Sequence, residues 1–183
     1  MKIFRKNSNV LTEFFKNDFF FVMNIPFILS MIGFGIMWIY IIYIIWKKGE
    51  LPQSISATIY DLDEKNAWHF SLIMFLSTFL IAPQLMTVVI PNTEILPFAT
   101  LVGLLGVGAA PLIKGEKNTL HYCSAMLSGC CSQLMLFLNC PWALLLWTPY
   151  VIYTLWKEFS GKNMMIAEMV MIIGMMILCI VRN

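Results

Sequence analysis

Two histidines and one glutamate lie within about one helical turn of the start of three strongly apolar segments. These residues are His69, His121 and Glu168. An ionised side chain at the bilayer centre costs roughly 2.5 to 3.5 kcal/mol on insertion scales, so such groups usually pair with each other or serve a function. Imidazole and carboxylate groups bind zinc, and zinc-bound water is a nucleophile for hydrolysis. One hypothesis is therefore a metal-dependent intramembrane hydrolase that uses these three residues.

The chain lacks the motifs that would strengthen this hypothesis. It has no H-E-x-x-H zinc motif and no G-x-S-x-G nucleophile motif. We therefore favour a non-enzymatic polar cluster at one leaflet, which joins helices and binds a lipid or a small solute. The predicted ligand-binding residues are His69, Gln84, His121, Ser124 and Glu168. We predict no catalytic residue, no bound metal and no cofactor.

The first polar loop carries Ser54, Ser56 and Thr58, followed by the acidic residues Asp61, Asp63 and Glu64. A serine nucleophile would need a positioned base, and His69 is the nearest candidate in the sequence. Hydroxyl side chains in loops more commonly bond to nearby groups of the same loop. We therefore predict local hydrogen bonding here.

Polar stripes follow two of the apolar segments. In the first, the polar residues are offset by eight, seven and three positions, which keeps them on one helix face; they are His69, Ser77, Gln84 and Thr87. The second stripe consists of His121, Ser124, Ser128 and Ser132. A polar face on a membrane helix contacts protein or water. We expect these two faces to pack against each other.

The elements that position these residues are membrane helices. Of the 183 residues, 60% are hydrophobic and 12% are charged, and the mean hydropathy is +0.79. This composition indicates an integral membrane protein, whose first partner is the lipid bilayer. A net charge of +2 without a basic stripe indicates no nucleic-acid partner. We expect the five cysteines to be small buried residues without a disulfide.

Apolar segments separated by short polar breaks predict an all-α integral membrane bundle of six transmembrane helices. An interfacial helix, residues 1–24, precedes a single domain at 25–183, since aromatic residues and lysines are interleaved there. Six crossings place both termini on one side. Which side that is stays open because the positive charges are nearly balanced between the two sides, and the sequence does not indicate an oligomeric state. The predicted spans are 25–46, 67–90, 95–113, 119–138, 142–156 and 164–181.

Two further patterns concern how the helices pack. Small residues at helical spacing in the third span predict close approach of a neighbouring backbone; they are Ala99, Gly103, Gly106 and Ala110. As three plus three spans, the halves have inverted topology, with Pro83 corresponding to Pro149. Inverted repeats with interrupted helices are typical of small-solute transporters, which is the third functional alternative.

Three features are shared with a known family. They are the polar first loop LPQSISATIY at 51–60, the aromatic-rich start of the second span, and the histidine in TLHY at the start of the fourth. Together they resemble FRAG/DRAM/SFK-type six-span membrane proteins and their uncharacterised bacterial relatives. The resemblance covers spans one to four, and implies a six-helix bundle with the first loop on the non-cytoplasmic side. In some members it implies roles near lipid or GPI-anchor handling. The location we expect is the plasma (inner) membrane of a bacterium.

Overall fold

The computed structural model describes residues 2–56, 58, 67–113, 117–156 and 162–183, all of them in helices or connections. No strand occurs in these residues, so the predicted all-α class is confirmed. The α-helices are α1 (Lys2–Lys48), α2 (Ala67–Thr87), α3 (Ile95–Ala109), α4 (Lys117–Asn139), α5 (Trp147–Trp156) and α6 (Lys162–Val181). Two 3-10 segments, Ala110–Leu112 and Pro141–Leu146, follow α3 and precede α5.

Two connections between helices contain a residue in the left-handed backbone region. Gly49 has a φ of +72° and donates its N–H to the carbonyl of Ile45 over 2.9 Å, which closes the last turn of α1. Between α2 and α3, Asn92 has a φ of +71°, a region that asparagine tolerates. The Asn92 N–H reaches the Glu94 side chain over 3.1 Å, so the turn supplies its own hydrogen-bond partners.

Four helical stretches in the described residues are long and apolar enough to cross a membrane, where the sequence predicted six. They are Ile25–Lys48, Trp68–Thr87, Ile95–Leu112 and Met164–Val181. Helix α4 has 23 residues, but its polar stripe lowers its hydropathy below that of a span. Helix α5 has ten residues and is too short by itself. The chain is thus an all-α membrane protein with four evident spanning helices.

The N-terminal segment and the first span form one helix. The backbone of α1 is helical from Lys2 to Lys48 with Pro26 inside it, where we predicted an interfacial helix followed by a separate span. A proline removes one backbone hydrogen bond without necessarily ending a membrane helix. The interfacial position of residues 1–24 stays a prediction.

Close approaches at glycines determine which helices are neighbours. A Cβ atom at Gly33 of α1 would lie 2.9 Å from the Ser77 carbonyl oxygen of α2, and one at Gly108 would lie 2.8 Å from the Met74 Cβ. Helix α2 therefore lies between α1 and α3, and α3 packs along α4. Because lipid tails are as apolar as the helices, tight van der Waals packing of this kind is what holds membrane helices together.

The small-residue ridge of α3 receives α4, as predicted. A Cβ at Gly103 would lie 2.6 Å from both the Ser124 carbonyl oxygen and the Ser128 nitrogen. At Gly106 the added atom would overlap the Ser124 hydroxyl. The backbones of α3 and α4 thus touch where neither glycine carries a side chain.

The predicted packing of α2 against α4 is wrong. Among the described residues these two helices share no extensive contact, and α3 separates them. Part of the α2 stripe lies beside α1 instead, since the Ser77 carbonyl oxygen lies at Gly33 and His69 shares a cleft with α1 residues. Small residues on α1 and α3 let α2 approach both helices closely, so its extensive contacts are with these two.

Candidate functional site

A narrow cavity of about 70 Å³ lies inside the bundle, where α1, α2, α3, α4 and α6 converge. We call it the central cavity. Its polar lining comes from the first loop, from α4 and from α6: Ser56, His121, Ser128, Ser132 and Glu168. The distance along α4 from His121 to Ser132 is about 16 Å at 1.5 Å per residue, so the cavity is elongated along the bundle.

Methionine and other apolar side chains form the rest of the wall. Met37, Met74, Met171 and Met175 contribute from three different helices, together with Phe70 at the start of α2. Flexible thioether side chains adapt to occupants of different shape. The sequence contains 14 methionines, and their positions alone do not show which of them line the cavity, because the cavity exists only where several helices meet.

Glu168 closes the cavity at the loop end. Its Oε2 accepts the backbone N–H of Ile55 over 2.5 Å, and Met165 N–H donates to the Gln53 carbonyl over 3.0 Å. These two bonds hold the start of α6 against residues 53–56. Ile55 and Ser56 both line the cavity, so the same contact that satisfies the carboxylate also places the loop over the opening.

Hydroxyl groups of the first loop bond locally, as predicted. The Ser54 and Ser56 hydroxyls are 3.0 Å apart, and the Thr58 hydroxyl donates to the Ile55 carbonyl over 2.5 Å. Tyr40 of α1 meets Thr58 Oγ1 at 2.7 Å, and both side chains are buried. Since the single Thr58 proton goes to the carbonyl, Tyr40 is the donor in that pair. Asp61, Asp63 and Glu64 lie outside the described residues.

His69 does not share the central cavity with His121 and Glu168. Its imidazole stacks on Trp68 with ring centroids 4.0 Å apart, and it lines a cleft of about 450 Å³ between α1 and α2. We call this the outer cleft. The described part of the chain contains no group of three His, Cys, Asp or Glu side chains that could hold a metal. The three-residue hydrolase site proposed from the sequence is therefore not assembled there.

The other two predicted ligand residues lie elsewhere in the bundle. Gln84 is buried in α2 but does not line the central cavity. Ser124 is buried against Gly106, so its hydroxyl lies in the contact between α3 and α4. Of the five predicted residues, the structure brings only His121 and Glu168 together in one cavity. The other polar residues of this cavity are Ser128, Ser132 and Ser56. The sequence analysis assigned them to a polar stripe and to the first loop, and not to the predicted binding site.

The cysteines are all unpaired, but they are not all buried. Cys140 and Cys179 are buried as expected, whereas Cys123 and Cys130 are exposed. The two exposed thiols lie on the face of α4 that points away from the bundle. The expectation of burial fails there because an apolar helix presents one face to lipid.

The two prolines that were compared lie in different surroundings. Pro83 lies inside the α-helix α2, where it removes a helix hydrogen bond. Pro149 is the third residue of α5, which follows the 3-10 segment Pro141–Leu146 without a break. The inverted repeat stays a prediction.

Comparison of the chain with protein-family models, with curated proteins and with solved structures finds no match. The resemblance to FRAG/DRAM/SFK-type proteins stays a prediction.

Proposed function

We propose that the chain is a multi-pass membrane protein that binds a lipid or small solute in the central cavity, without catalysing a reaction on it. The observation that carries the proposal is the cavity itself. Its walls are mainly apolar, and its five polar side chains, Ser56, His121, Ser128, Ser132 and Glu168, can donate or accept hydrogen bonds. Sites for small ligands have this composition, an apolar lining with a few placed polar groups.

Hydrogen bonds between helix ends support six crossings, including the two segments that are too short or too polar by themselves. The Asn139 side chain at the end of α4 accepts the Ile90 N–H over 2.8 Å, so α4 ends where α2 ends. Helix α6 starts at the other end, beside Gln53. The segment between them must return across the bundle.

The fifth segment is long enough for that return because part of it is a 3-10 helix. Six 3-10 residues at about 2.0 Å each and ten α-helical residues at about 1.5 Å each span roughly 27 Å. The hydrocarbon core is about 30 Å thick. The 3-10 part thus lets 16 residues cover a length that would take about 18 in an α-helix. The membrane we propose is the bacterial plasma membrane.

Cavity size restricts what is bound. One water needs roughly 10 to 15 Å³ measured in this way, so about 70 Å³ admits on the order of five water-sized groups. A whole phospholipid does not fit. The occupant is a small amphiphilic solute, or the end of a lipid whose remainder lies outside the bundle. Hydroxyl or amine groups on it would meet Ser128, His121 and Glu168.

The test is to fill the cavity and look for loss of the occupant. Ala125→Leu adds three carbon atoms at the cavity wall, whereas Cys130→Leu adds a similar volume on the exposed face of the same helix. Detergent-purified protein would be analysed by native mass spectrometry and by extraction of bound small molecules. The wild type and Cys130→Leu should retain a stoichiometric added mass that Ala125→Leu lacks.

A ligand screen by thermal shift gives a second measurement. A solute present at 100 times its Kd stabilises the folded state by about 2.7 kcal/mol, an effect that filling the cavity should abolish. The proposal fails if no lipid or solute shifts the wild type, or if Ala125→Leu keeps the added mass and the shift unchanged.

A further inference from the structure

The outer cleft between α1 and α2 opens away from the central cavity, toward the surroundings of the bundle. It is lined along α1 by Ile36, Ile39, Tyr43 and Lys47, and along α2 by His69 and Ile73. Ile39 is 69% exposed and Tyr43 is 47% exposed, so the cleft is accessible from the bilayer. At about 450 Å³ it is several times larger than the central cavity.

The polar and apolar residues of the cleft are separated along its length. Lys47 and His69 lie at one end, beside the terminus of α1 and the start of α2, and isoleucines line the other end. From Lys47 to Ile36 the cleft follows α1 for about 16 Å. This is about half of a hydrocarbon core of roughly 30 Å, which is the depth of one leaflet.

Aromatic residues mark the polar end as the membrane surface. Trp46 is 79% exposed and Trp68 is 51% exposed, and both lie beside the cationic end of the cleft. Tryptophan is enriched at the level of the headgroups. Lys47 is therefore at headgroup depth, with the isoleucine-lined groove extending below it into the acyl chains.

From this arrangement we infer that the outer cleft binds a phospholipid with a net negative headgroup. The phosphate lies at Lys47 with the His69 ring and the Tyr43 hydroxyl beside it, and one acyl chain lies along Ile36, Ile39 and Ile73. The charge of Lys47 selects anionic over zwitterionic lipid, since basic residues near the surface attract anionic headgroups. The depth of one leaflet selects an acyl chain rather than a soluble anion. This site is separate from the central cavity and does not depend on its occupant.

The experiment compares two adjacent lysines. Lys47 lines the cleft, and Lys48, its exposed neighbour at the same end of α1, does not. Delipidated protein would be titrated with phosphatidylglycerol or phosphatidylcholine of identical acyl chains, and binding of the first lipid measured by native mass spectrometry. The wild type should prefer phosphatidylglycerol. Lys47→Gln should weaken phosphatidylglycerol about fivefold, because one basic residue contributes about 1 kcal/mol and 1.4 kcal/mol is tenfold.

Lys48→Gln should change phosphatidylglycerol affinity by less than about twofold, since its charge is outside the cleft. Ile73→Trp should fill the groove and weaken both lipids. Equal affinity of the wild type for the two lipids overturns the inference, as do equal effects of Lys47→Gln and Lys48→Gln. A second copy of the chain is the alternative occupant of the cleft. The inference is therefore also overturned if the protein is a dimer that Ile73→Trp converts to monomers and if this dimer shows no lipid preference. The added mass of the molecule bound in the central cavity should be the same in the wild type and in Lys47→Gln. A failure of the lipid site can therefore be distinguished from a failure of the proposed function.

Discussion

Gly103→Ala tests the contact that positions the cavity side of α4. The added Cβ would lie 2.6 Å from the Ser124 carbonyl oxygen and the Ser128 nitrogen, and 2.7 Å from the Ser128 Cβ. Ordinary contact begins at 3.4 Å, so the helices must separate by up to about 0.8 Å. Two of the three obstructing atoms are backbone and cannot rotate away. The whole helix α4 must therefore move.

The expected cost follows from two opposing effects. Overpacking in a close-packed region costs about 1 to 3 kcal/mol, and replacing a helical glycine by alanine recovers about 1 kcal/mol of helix propensity. Gly103→Ala should thus lower the free energy of unfolding by up to about 2 kcal/mol. The movement also displaces Ser128, so binding in the central cavity should weaken.

Gly35 provides the matched control, since a Cβ there would meet nothing within 4 Å. Gly35→Ala changes the same residue type in another spanning helix and should be neutral or stabilising by up to about 1 kcal/mol. Unfolding by SDS in mixed micelles, followed by circular dichroism, gives both free energies. Equal stability of the two variants, or a larger loss in Gly35→Ala, would refute the assignment of α3 and α4 as neighbours at Gly103.

Four other outcomes follow from the same structure. Gly106→Ala should cost less than Gly103→Ala, because the nearest obstruction at Gly106 is the Ser124 hydroxyl and not backbone. Ser124→Ala should remove part of that cost in the double variant, since the Ser124 Cβ, 2.8 Å from the added atom, stays in place; additive effects would contradict this. Glu168→Leu leaves the Ile55 N–H without its acceptor and should lower the free energy of unfolding by about 1 to 3 kcal/mol. Glu168→Gln retains a side-chain oxygen and should cost less. Equal losses for the two variants in SDS unfolding would show that this hydrogen bond contributes nothing to stability. Ser77→Ala should be neutral or stabilising, since the buried Ser77 hydroxyl has no partner in the described part of the chain; a loss above about 1 kcal/mol would reveal one. N-ethylmaleimide should modify Cys140 and Cys179 only after unfolding, as measured by peptide mass spectrometry; early labelling of Cys179 would contradict its burial.

Several local features were predictable because they depend on residues close together in the chain. Hydrophobic runs indicated where each helix lies, and the predicted second span at 67–90 agrees with Ala67–Thr87 to within three residues. The ridge containing Gly103 and Gly106 predicted a close helix contact, since only glycine leaves the backbone bare on that face. Local bonding of the first-loop hydroxyls followed from their spacing.

The candidate site was only half predictable. His121 and Glu168 were singled out because an ionisable group in an apolar segment is costly wherever the segment packs. Which other residues accompany them depends on the neighbours of each helix. The sequence placed His69 in the same group by depth, and the structure places it on a different face of α2 from the one that lines the central cavity.

Composition and periodicity by themselves determined that this is an all-α membrane protein, because burying apolar residues in lipid requires helices whose backbone bonds are internal. Only the tertiary structure decided that α2 packs between α1 and α3, that α4 meets α3, and that the fifth segment begins as a 3-10 helix. A polar or small-residue stripe specifies that a helix face is covered, and not which helix covers it. That choice depends on where Gly33, Gly103 and Gly108 let two backbones touch, a property of pairs of helices that no single segment contains.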